Sequence, residues 1–300
     1  MSPSALRLGV DLGGSKIEII ALDASGAELL RRRIATPQGE YAATLRAIAD
    51  LVHGVEAELQ QTGTVGIGTP GAISRATGLL KNSNSVCLNG QPILRDLEHL
   101  LGRSIRMQND ANCFALSEAV DGAAAGARVV FGVILGTGVG GGIVVDGRAL
   151  IGANAIAGEW GHNPLPWPLA QELPGAACYC GKSGCIETWM SGPGMALQHG
   201  QNLAAPQIVE RAAAGDAACE QTLAQYEDRL ARALAQVINV LDPDAIVLGG
   251  GMSNIARLYE NVPKLWGRYV FSDRVETRLI KNRHGDSSGV RGAAWLWDRH

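Results

Sequence analysis

The sequence predicts an α/β protein with about two domains. Segments with the composition of strands alternate with segments of helical periodicity, which is typical of this class. The chain has 300 residues, of which 46% are apolar, so each of two domains could bury a core of its own. The 39 glycines collect in clusters flanked by predicted strands, which indicates turns that approach a ligand closely rather than disorder.

The first half of the chain is predicted as strands around two helices, followed by a hinge. In chain order these elements are strands at 6–10, 17–22 and RRRIAT (31–36), a helix at 41–61, a strand running into a glycine-proline loop at 64–71, a strand at 105–110 and a helix at 111–120. The small, uncharged residues 123–127 (AAAGA) are predicted to be the hinge. We therefore expect an N-terminal α/β domain at 1–122 and a larger C-terminal domain at 123–288.

The second half repeats the alternation around one long helix. Strands at 129–135 and 142–147 enclose the turn GTGVGG, and a helix is predicted from about 217 to 241. The segment DPDAIVLGGG (242–251) then supplies a further strand and leads into another helix.

A short internal repeat connects the two halves. LGVDLGGSKIEII (8–20) and FGVILGTGVGGGIVV (131–145) share a strand, a Leu-Gly pair, a small residue and a second strand. Chance could produce so short a match. Duplication explains it better, because both glycine turns would then face one shared cleft.

Charge and hydropathy exclude several classes of protein. The net charge is −3 and no basic run occurs, so we expect no nucleic-acid partner. No stretch approaches 18 apolar residues and the N-terminus has no signal pattern, so we expect no membrane span and a cytoplasmic location.

The glycine-rich turns do not fit the common nucleotide motifs. Gly136, Gly138 and Gly141 satisfy G-x-G-x-x-G, but a strand follows them where a dinucleotide site requires a helix. GKS at 181–183 lacks the first glycine of a phosphate loop, since Ala176 stands there. The remaining possibility is phosphate held between two hairpin turns, with Asp11 serving the magnesium of ATP through water and GGG (249–251) facing adenosine. Each loop taken singly could equally be a tight turn.

Three of the six cysteines fall within eight residues, in CYCGKSGCIE (178–187). Together with His162 they form the set His162, Cys178, Cys180 and Cys185, which is typical of a closed tetrahedral zinc site. With four protein ligands no position is open for water, so the zinc would be structural. The alternative is three unbonded cysteines, since disulfides are rare in the cytoplasm.

The motifs DLGGSK, QNDAN, ILGTGVGGGI, GEWGH, CYCGKSGCIE and DPDAIVLGGG, in this order, resemble those of the ROK family of sugar kinases. Within that family VDGAAAGA, GEWGHNPLPW and HGDSSGVRGAAWLW look most like bacterial fructokinases of the mannokinase type, with N-acetylglucosamine kinases as the nearest alternative. The resemblance implies an actin/hexokinase-like (ribonuclease H-like) fold of two domains around a ligand cleft. It also implies structural zinc, a homodimer and a C-terminal helix (about 289–300) that packs back on the N-terminal domain.

The resemblance also assigns site residues. Asp110 would be the base that accepts the proton of the sugar's primary hydroxyl, kept ionised by the positive end of the helix that it begins. Without the resemblance, Asp110 reads more readily as a helix cap. The substrate-binding set would be Gly71, Asn84, Asn109, Asp110, Glu159, His162 and Glu187. The ATP-binding set would be Asp11, Gly13, Gly14, Ser15, Lys16, Gly136, Thr137, Gly138, Gly140, Gly249, Gly250 and Gly251, with Ser15 where the family usually has threonine.

The expected function is therefore phosphorylation of a hexose at its 6-hydroxyl by ATP and Mg²⁺, with D-fructose preferred and mannose or glucose as further substrates. The alternative within the family is an N-acetylglucosamine kinase. A different class, a sugar-sensing transcriptional regulator, would need a DNA-binding segment before Asp11, for which this sequence has no room. A noncatalytic zinc-binding scaffold would show no ATP turnover with any hexose.

Overall fold

The computed structural model describes residues 6–83, 85–285 and 288–297, and these form two five-stranded sheets with helices between and around them. The strands are β1 (Arg7–Leu12), β2 (Lys16–Leu22), β3 (Glu28–Ala35), β4 (Thr64–Thr69), β5 (Ala72–Ile73), β6 (Leu80–Lys81), β7 (Arg106–Asn109), β8 (Val129–Leu135), β9 (Val139–Val145), β10 (Arg148–Ala149), β11 (Ala245–Gly249) and β12 (Arg278–Lys281). The α-helices are α1 (Tyr41–Leu59), α2 (Ile93–Leu101), α3 (Asp110–Val120), α4 (Glu187–Met190), α5 (Gly192–His199), α6 (Ala205–Ala213), α7 (Ala217–Leu241), α8 (Leu258–Trp266) and α9 (Ser288–Ala294). Short 3-10 turns lie at Val86–Leu88, Trp160–His162, Ala170–Glu172 and Gly251–Asn254.

The two sheets have the same topology. The first has the order β3-β2-β1-β4-β7 and the second the order β10-β9-β8-β11-β12. In each, the central strand pairs antiparallel with the next strand in sequence and parallel with a later one. This match confirms the internal repeat predicted from the sequence, and it places the turns after β1 and β8 at equivalent positions.

The central strands are buried because their apolar runs are covered on both faces. All five residues of β11 (AIVLG) are buried, as expected for a parallel strand between two layers. On the outer side α7 presents a long apolar stripe that includes Leu230, Leu234 and Ile238 to the second sheet, and this stripe is part of that sheet's core.

The start of β9 differs from its prediction. The strand runs over Val139–Val145 rather than 142–147, and its glycines pair in the ladder as Ile134↔Gly140 and Gly132↔Gly142. Gly140 was assigned to the turn, because glycine weakens strands, whereas Gly142 already began the predicted strand. Here glycine is required, since a Cβ on Gly142 would overlap the carbonyl oxygen of Ala111 in α3.

Helices α3 and α9 lie between the two sheets and contact each other backbone to backbone. Residues of α3, α9, β2, β8 and β11 share one apolar cluster. A Cβ on Gly292 of α9 would overlap the backbone of Cys113 in α3, so this contact requires glycine. Similarly, Gly9 of β1 and Gly66 of β4 leave no room for a side chain beneath α9. The C-terminal helix thus packs on the first sheet, while the domain boundaries at 122 and 288 stay a prediction.

Among the described residues, no helix combines the length and the apolar character that crossing a membrane would require.

Candidate active site

Asp110 lies where β7 ends and α3 begins. Asn109 is the N-cap residue of α3, because its Oδ1 accepts a hydrogen bond from the Asn112 backbone N–H at 2.9 Å. Asp110 is therefore the first helical residue, and the reading of Asp110 itself as the cap was wrong. Its Oδ1 accepts hydrogen bonds from the Ala111 backbone N–H at 2.8 Å and from Asn109 Nδ2 at 3.1 Å.

The electrostatics of Asp110 differ from the expectation. Burial raises the pKa of its carboxyl group, and the negative charge of Glu159 raises it further, while the backbone N–H of Ala111 lowers it. The N–H groups at the start of the helix were expected to dominate, but the loss of hydration is the larger effect. A carboxylate with a raised pKa is a stronger base, which suits it to accept a proton.

Asp11, near the end of β1, is a second buried carboxyl group close to Asp110. Burial raises its pKa to about 6, the charges of Asp110 and Glu18 add to the rise, and Lys16 and Arg33 oppose it. Two carboxylates that repel each other favour a divalent cation between or near them. The donor chemistry therefore fits a Mg²⁺ ion that arrives with a nucleotide.

The second and third glycine segments lie together. The turn after β8 is closed by a hydrogen bond from the Gly136 N–H to the Gly138 carbonyl oxygen at 3.0 Å, and Thr137 at its tip is exposed. A Cβ on Gly250, after β11, would overlap the backbone of Leu135 immediately before this turn. Gly249 ends β11, Gly251 begins a 3-10 turn, and Gly140 lies within β9.

The first glycine turn, Gly13–Ser15, closes the β1–β2 hairpin through a hydrogen bond from the Gly13 N–H to the Lys16 carbonyl oxygen at 3.0 Å. Its neighbour is Ser85, whose Oγ would lie 3.6 Å from a Cβ on Gly14. Gly71 has a φ of +83° and packs against the backbone of Lys81, so its position in the strand-to-hairpin turn requires glycine. Asn84 lies outside the described residues.

Glu187 connects the cysteine segment with the second glycine turn. Its Oε2 accepts a hydrogen bond from the Val139 backbone N–H at 2.9 Å, and Glu187 begins α4 two residues after Cys185. Glu159 precedes the 3-10 turn Trp160–His162 and is exposed. Desolvation by its surroundings nevertheless raises the pKa of the Glu159 carboxyl group by more than the nearby His162 lowers it.

The predicted metal ligands come together. Cys178 Sγ lies 3.6 Å from His162 Nδ1, and Cys180 Sγ lies 3.6 Å from Cys185 Sγ. All four ligand atoms lie within 4.8 Å of one another. With Zn–S bonds of about 2.3 Å, neighbouring ligands of a tetrahedral zinc ion are roughly 3.5–3.8 Å apart, so the set fits zinc. His162 Nε2, on the far side of the ring, lies 2.9 Å from Tyr179 Oη.

A buried ion-pair cluster, which was not predicted from the sequence, holds residues 166–172 against α7. Glu172 accepts hydrogen bonds from Arg229 Nε at 2.8 Å and from Arg232 Nη1 and Nη2 at 2.9 and 2.8 Å. Arg232 also donates to the carbonyl oxygen of Trp167 at 2.8 Å. Burial would raise the pKa of Glu172, but the two arginines outweigh it and lower the value to about 2. The only signal available was two arginines among the apolar positions of α7.

Comparisons with known proteins agree with this geometry. The chain matches the model of the ROK family over residues 7–300. It is 39% identical over 296 residues to an N-acetyl-D-glucosamine kinase of Photobacterium profundum, covering 96% of this chain and 98% of the relative. It has the same identity and coverage against an N-acetyl-D-glucosamine kinase of Vibrio cholerae. The structure is similar to a ROK hexokinase from Thermus thermophilus, with a TM-score of 0.84 and 30% identity over 97% of each chain.

A further similar structure is a ROK glucokinase from Streptomyces griseus in complex with glucose and AMPPNP, with a TM-score of 0.75 and 27% identity over 97% of this chain and 98% of the other. The two sheets of one topology around a cleft define the actin/hexokinase-like class, and the predicted fold class is confirmed. The chain belongs to the ROK family of sugar kinases, as its motifs predicted.

Proposed function

We propose that the protein transfers the γ-phosphoryl group of ATP to the 6-hydroxyl of N-acetyl-D-glucosamine. The observation that carries this proposal is the 39% identity to N-acetyl-D-glucosamine kinases along nearly the whole chain. The sequence analysis had preferred fructose, with N-acetylglucosamine as the alternative. These relatives support the alternative and give fructose no support.

In this proposal Asp110 is the catalytic base. Its Oδ1 is held by the Ala111 N–H and by Asn109 Nδ2, which fixes the carboxylate, and its raised pKa makes it a better proton acceptor. It takes the proton of the sugar's primary hydroxyl while that oxygen attacks the γ-phosphorus and ADP leaves. Asn109 has Oδ1 occupied by the helix cap and one Nδ2 hydrogen donated to Asp110, so its second amide N–H remains to contact a sugar.

The remaining predicted residues would orient the two substrates. Glu159 and Glu187 would hold ring hydroxyls, and His162 would do so through Nε2 in place of Tyr179 Oη, with Gly71 and Asn84 at the edge of the sugar site. The turns at Gly13–Ser15 and Gly136–Gly138 would face phosphate oxygens with backbone N–H groups, and Gly249–Gly251 would face adenosine. Mg²⁺ would neutralise phosphate charge, and Asp11 would anchor it through water.

Zinc at His162, Cys178, Cys180 and Cys185 would be structural in this proposal. Four protein ligands would complete a tetrahedral coordination shell and leave no position for a reacting water. Bound there, zinc would fix the segment that carries Glu187. A cytoplasmic location and a homodimer remain predictions.

A coupled ADP-release assay of the full chain with N-acetylglucosamine, glucose, mannose and fructose tests the proposed function. We expect N-acetylglucosamine to give the highest kcat/KM. Asp110→Asn should lower kcat by on the order of 10²–10⁴-fold and leave sugar binding in place, because only proton transfer is lost. The matched control is Asp50→Asn, an exposed position on α1, which should change neither quantity. A preference for fructose would refute the sugar assignment, and a normal kcat for Asp110→Asn would remove Asp110 from the role.

A further inference from the structure

A small cavity opens beside the proposed sugar site. It has a volume of about 190 Å³, and Asn109 and Glu159 form part of its wall. Both residues belong to the proposed sugar-binding set, and Asn109 Nδ2 lies 3.1 Å from Asp110 Oδ1, so the cavity adjoins the proposed catalytic position. A water molecule occupies ~30 Å³, so this volume has room for a substituent larger than a hydroxyl group.

The cavity has a mainly apolar lining, to which Arg75 and Glu159 add charged groups and three residues add amide groups. Its apolar wall comes from both halves of the chain, from Ala72 and Ile73 of β5 and from Ile151, Ala155, Ile156 and Ala157 of the segment after β10. Such a wall suits a methyl group, because burying a methyl group there removes apolar surface from water and leaves no polar atom without a hydrogen bond. A hydroxyl at the same place would lose its hydrogen bonds to water.

One buried polar atom in this wall has no partner. Asn112 is 6% exposed, and its Oδ1 accepts no hydrogen bond from residues 6–83, 85–285 or 288–297. Its orientation is fixed, since Asn112 Nδ2 donates to Gln108 Oε1 at 3.1 Å. A buried acceptor without a donor costs stability, but this oxygen is closed off from the cavity, so it offers the ligand no contact.

We infer that this cavity takes the acetamido substituent of a 2-acetamido sugar, with the methyl group against the alanine and isoleucine side chains of the wall. The inference rests on the proposed function and deepens it, because it names the residues that distinguish an N-acetylhexosamine from a plain hexose. Ala72 and Ala157 set the volume from opposite halves of the chain, and Ile156 sets its outer limit.

Filling the cavity tests the inference. Ala157→Leu and Ala72→Leu each place a larger side chain in the wall. They should lower kcat/KM for N-acetylglucosamine on the order of 10- to 100-fold while kcat/KM for glucose stays within about threefold. The matched control is Ala153→Leu, which lies in the same segment but is exposed and outside the wall, so both sugars should behave as with wild type.

Enlarging the cavity gives an independent test, because the substitution it needs does not disturb the folded core. The Ile156 side chain is 48% exposed, so Ile156→Ala leaves the core intact. This variant should raise the ratio of kcat/KM for N-butyrylglucosamine to that for N-acetylglucosamine by on the order of 10-fold, because a longer acyl chain then has room. An unchanged ratio would overturn the inference even if the filled variants do not fold.

The outcomes separate the inference from the proposed function. If wild type phosphorylates N-acetylglucosamine but the filled variants lose both sugars equally, or lose neither, the cavity assignment is wrong and the proposed function stands. If wild type phosphorylates other hexoses but not N-acetylglucosamine, the proposed function is wrong and the inference falls with it.

Discussion

Asp11→Asn should abolish activity and yet stabilise the protein. In the folded chain the pKa of Asp11 is raised from 3.8 to about 6, chiefly by burial. One pKa unit corresponds to about 1.4 kcal/mol, so holding this carboxylate ionised costs about 3 kcal/mol at pH 7.5. Asparagine has nearly the same shape and carries no charge, so it removes this cost along with the repulsion from Asp110.

The sign of the pH dependence follows from the raised pKa. Between about pH 4 and pH 6 the unfolded chain releases the Asp11 proton before the folded chain does, so the folded state loses stability as the pH rises. The free-energy cost of ionising Asp11 in the folded chain is fully present at pH 7.5. About half of this cost remains at pH 5, and none is left well below pH 4. Asp11→Asn should therefore gain up to about 3 kcal/mol at pH 7.5 and roughly half as much at pH 5.

Urea unfolding at the two pH values, without nucleotide or magnesium, measures this difference. Asp50→Asn, on the exposed face of α1, is the matched control and should stay within about 0.5 kcal/mol of wild type at both. An Asp11→Asn variant that is no more stable than wild type at pH 7.5, or whose gain does not depend on pH, would refute the argument that burial and neighbouring charges strain this carboxylate.

Two further predictions concern the cysteine segment and the ion-pair cluster around Glu172. Cys180→Ser should lower the zinc content, measured by mass spectrometry, from about one equivalent per chain, and it should also lower the thermal midpoint of unfolding. The control Cys87→Ser lies outside the cluster and should change neither quantity. Retained zinc in the Cys180→Ser variant would contradict the ligand set. Glu172→Gln should cost about 3–5 kcal/mol in urea unfolding because it leaves two buried guanidinium groups without their carboxylate, against less than about 1 kcal/mol for Asp146→Asn in an exposed pair. Equal losses in these two would show that burial does not decide the cost.

The sequence predicted those features that depend on local pattern. The order of strands and helices, the long helix α7 and the equivalence of the turns after β1 and β8 follow from periodicity and from the repeated Leu-Gly motif. The metal set could be predicted because closely spaced cysteines and one histidine permit few other arrangements.

Features that depend on distant contacts could not be predicted. Gly141 was assigned to the turn, but it pairs in the strand, where a Cβ would overlap the carbonyl oxygen of the distant Gly158; and without the resemblance Asp110 reads as a cap, a role that Asn109 takes. The strength of desolvation at Asp110 depends on what covers it, which no local pattern encodes. Likewise Glu172 and its arginines are 57 and 60 positions apart, so neither end predicts the other.

The hydrogen bond between Glu187 and Val139 limits which segments of this protein can be exchanged in engineered variants. In sequence, Glu187 follows the cysteine segment 178–185, but its carboxylate accepts a hydrogen bond from Val139 at the β8–β9 turn. If residues 178–187 were exchanged for a segment of another protein that has no carboxylate at position 187, the Val139 N–H would lose its acceptor. An exchanged cysteine segment should therefore retain a glutamate at position 187, because this side chain connects the segment with the β8–β9 turn.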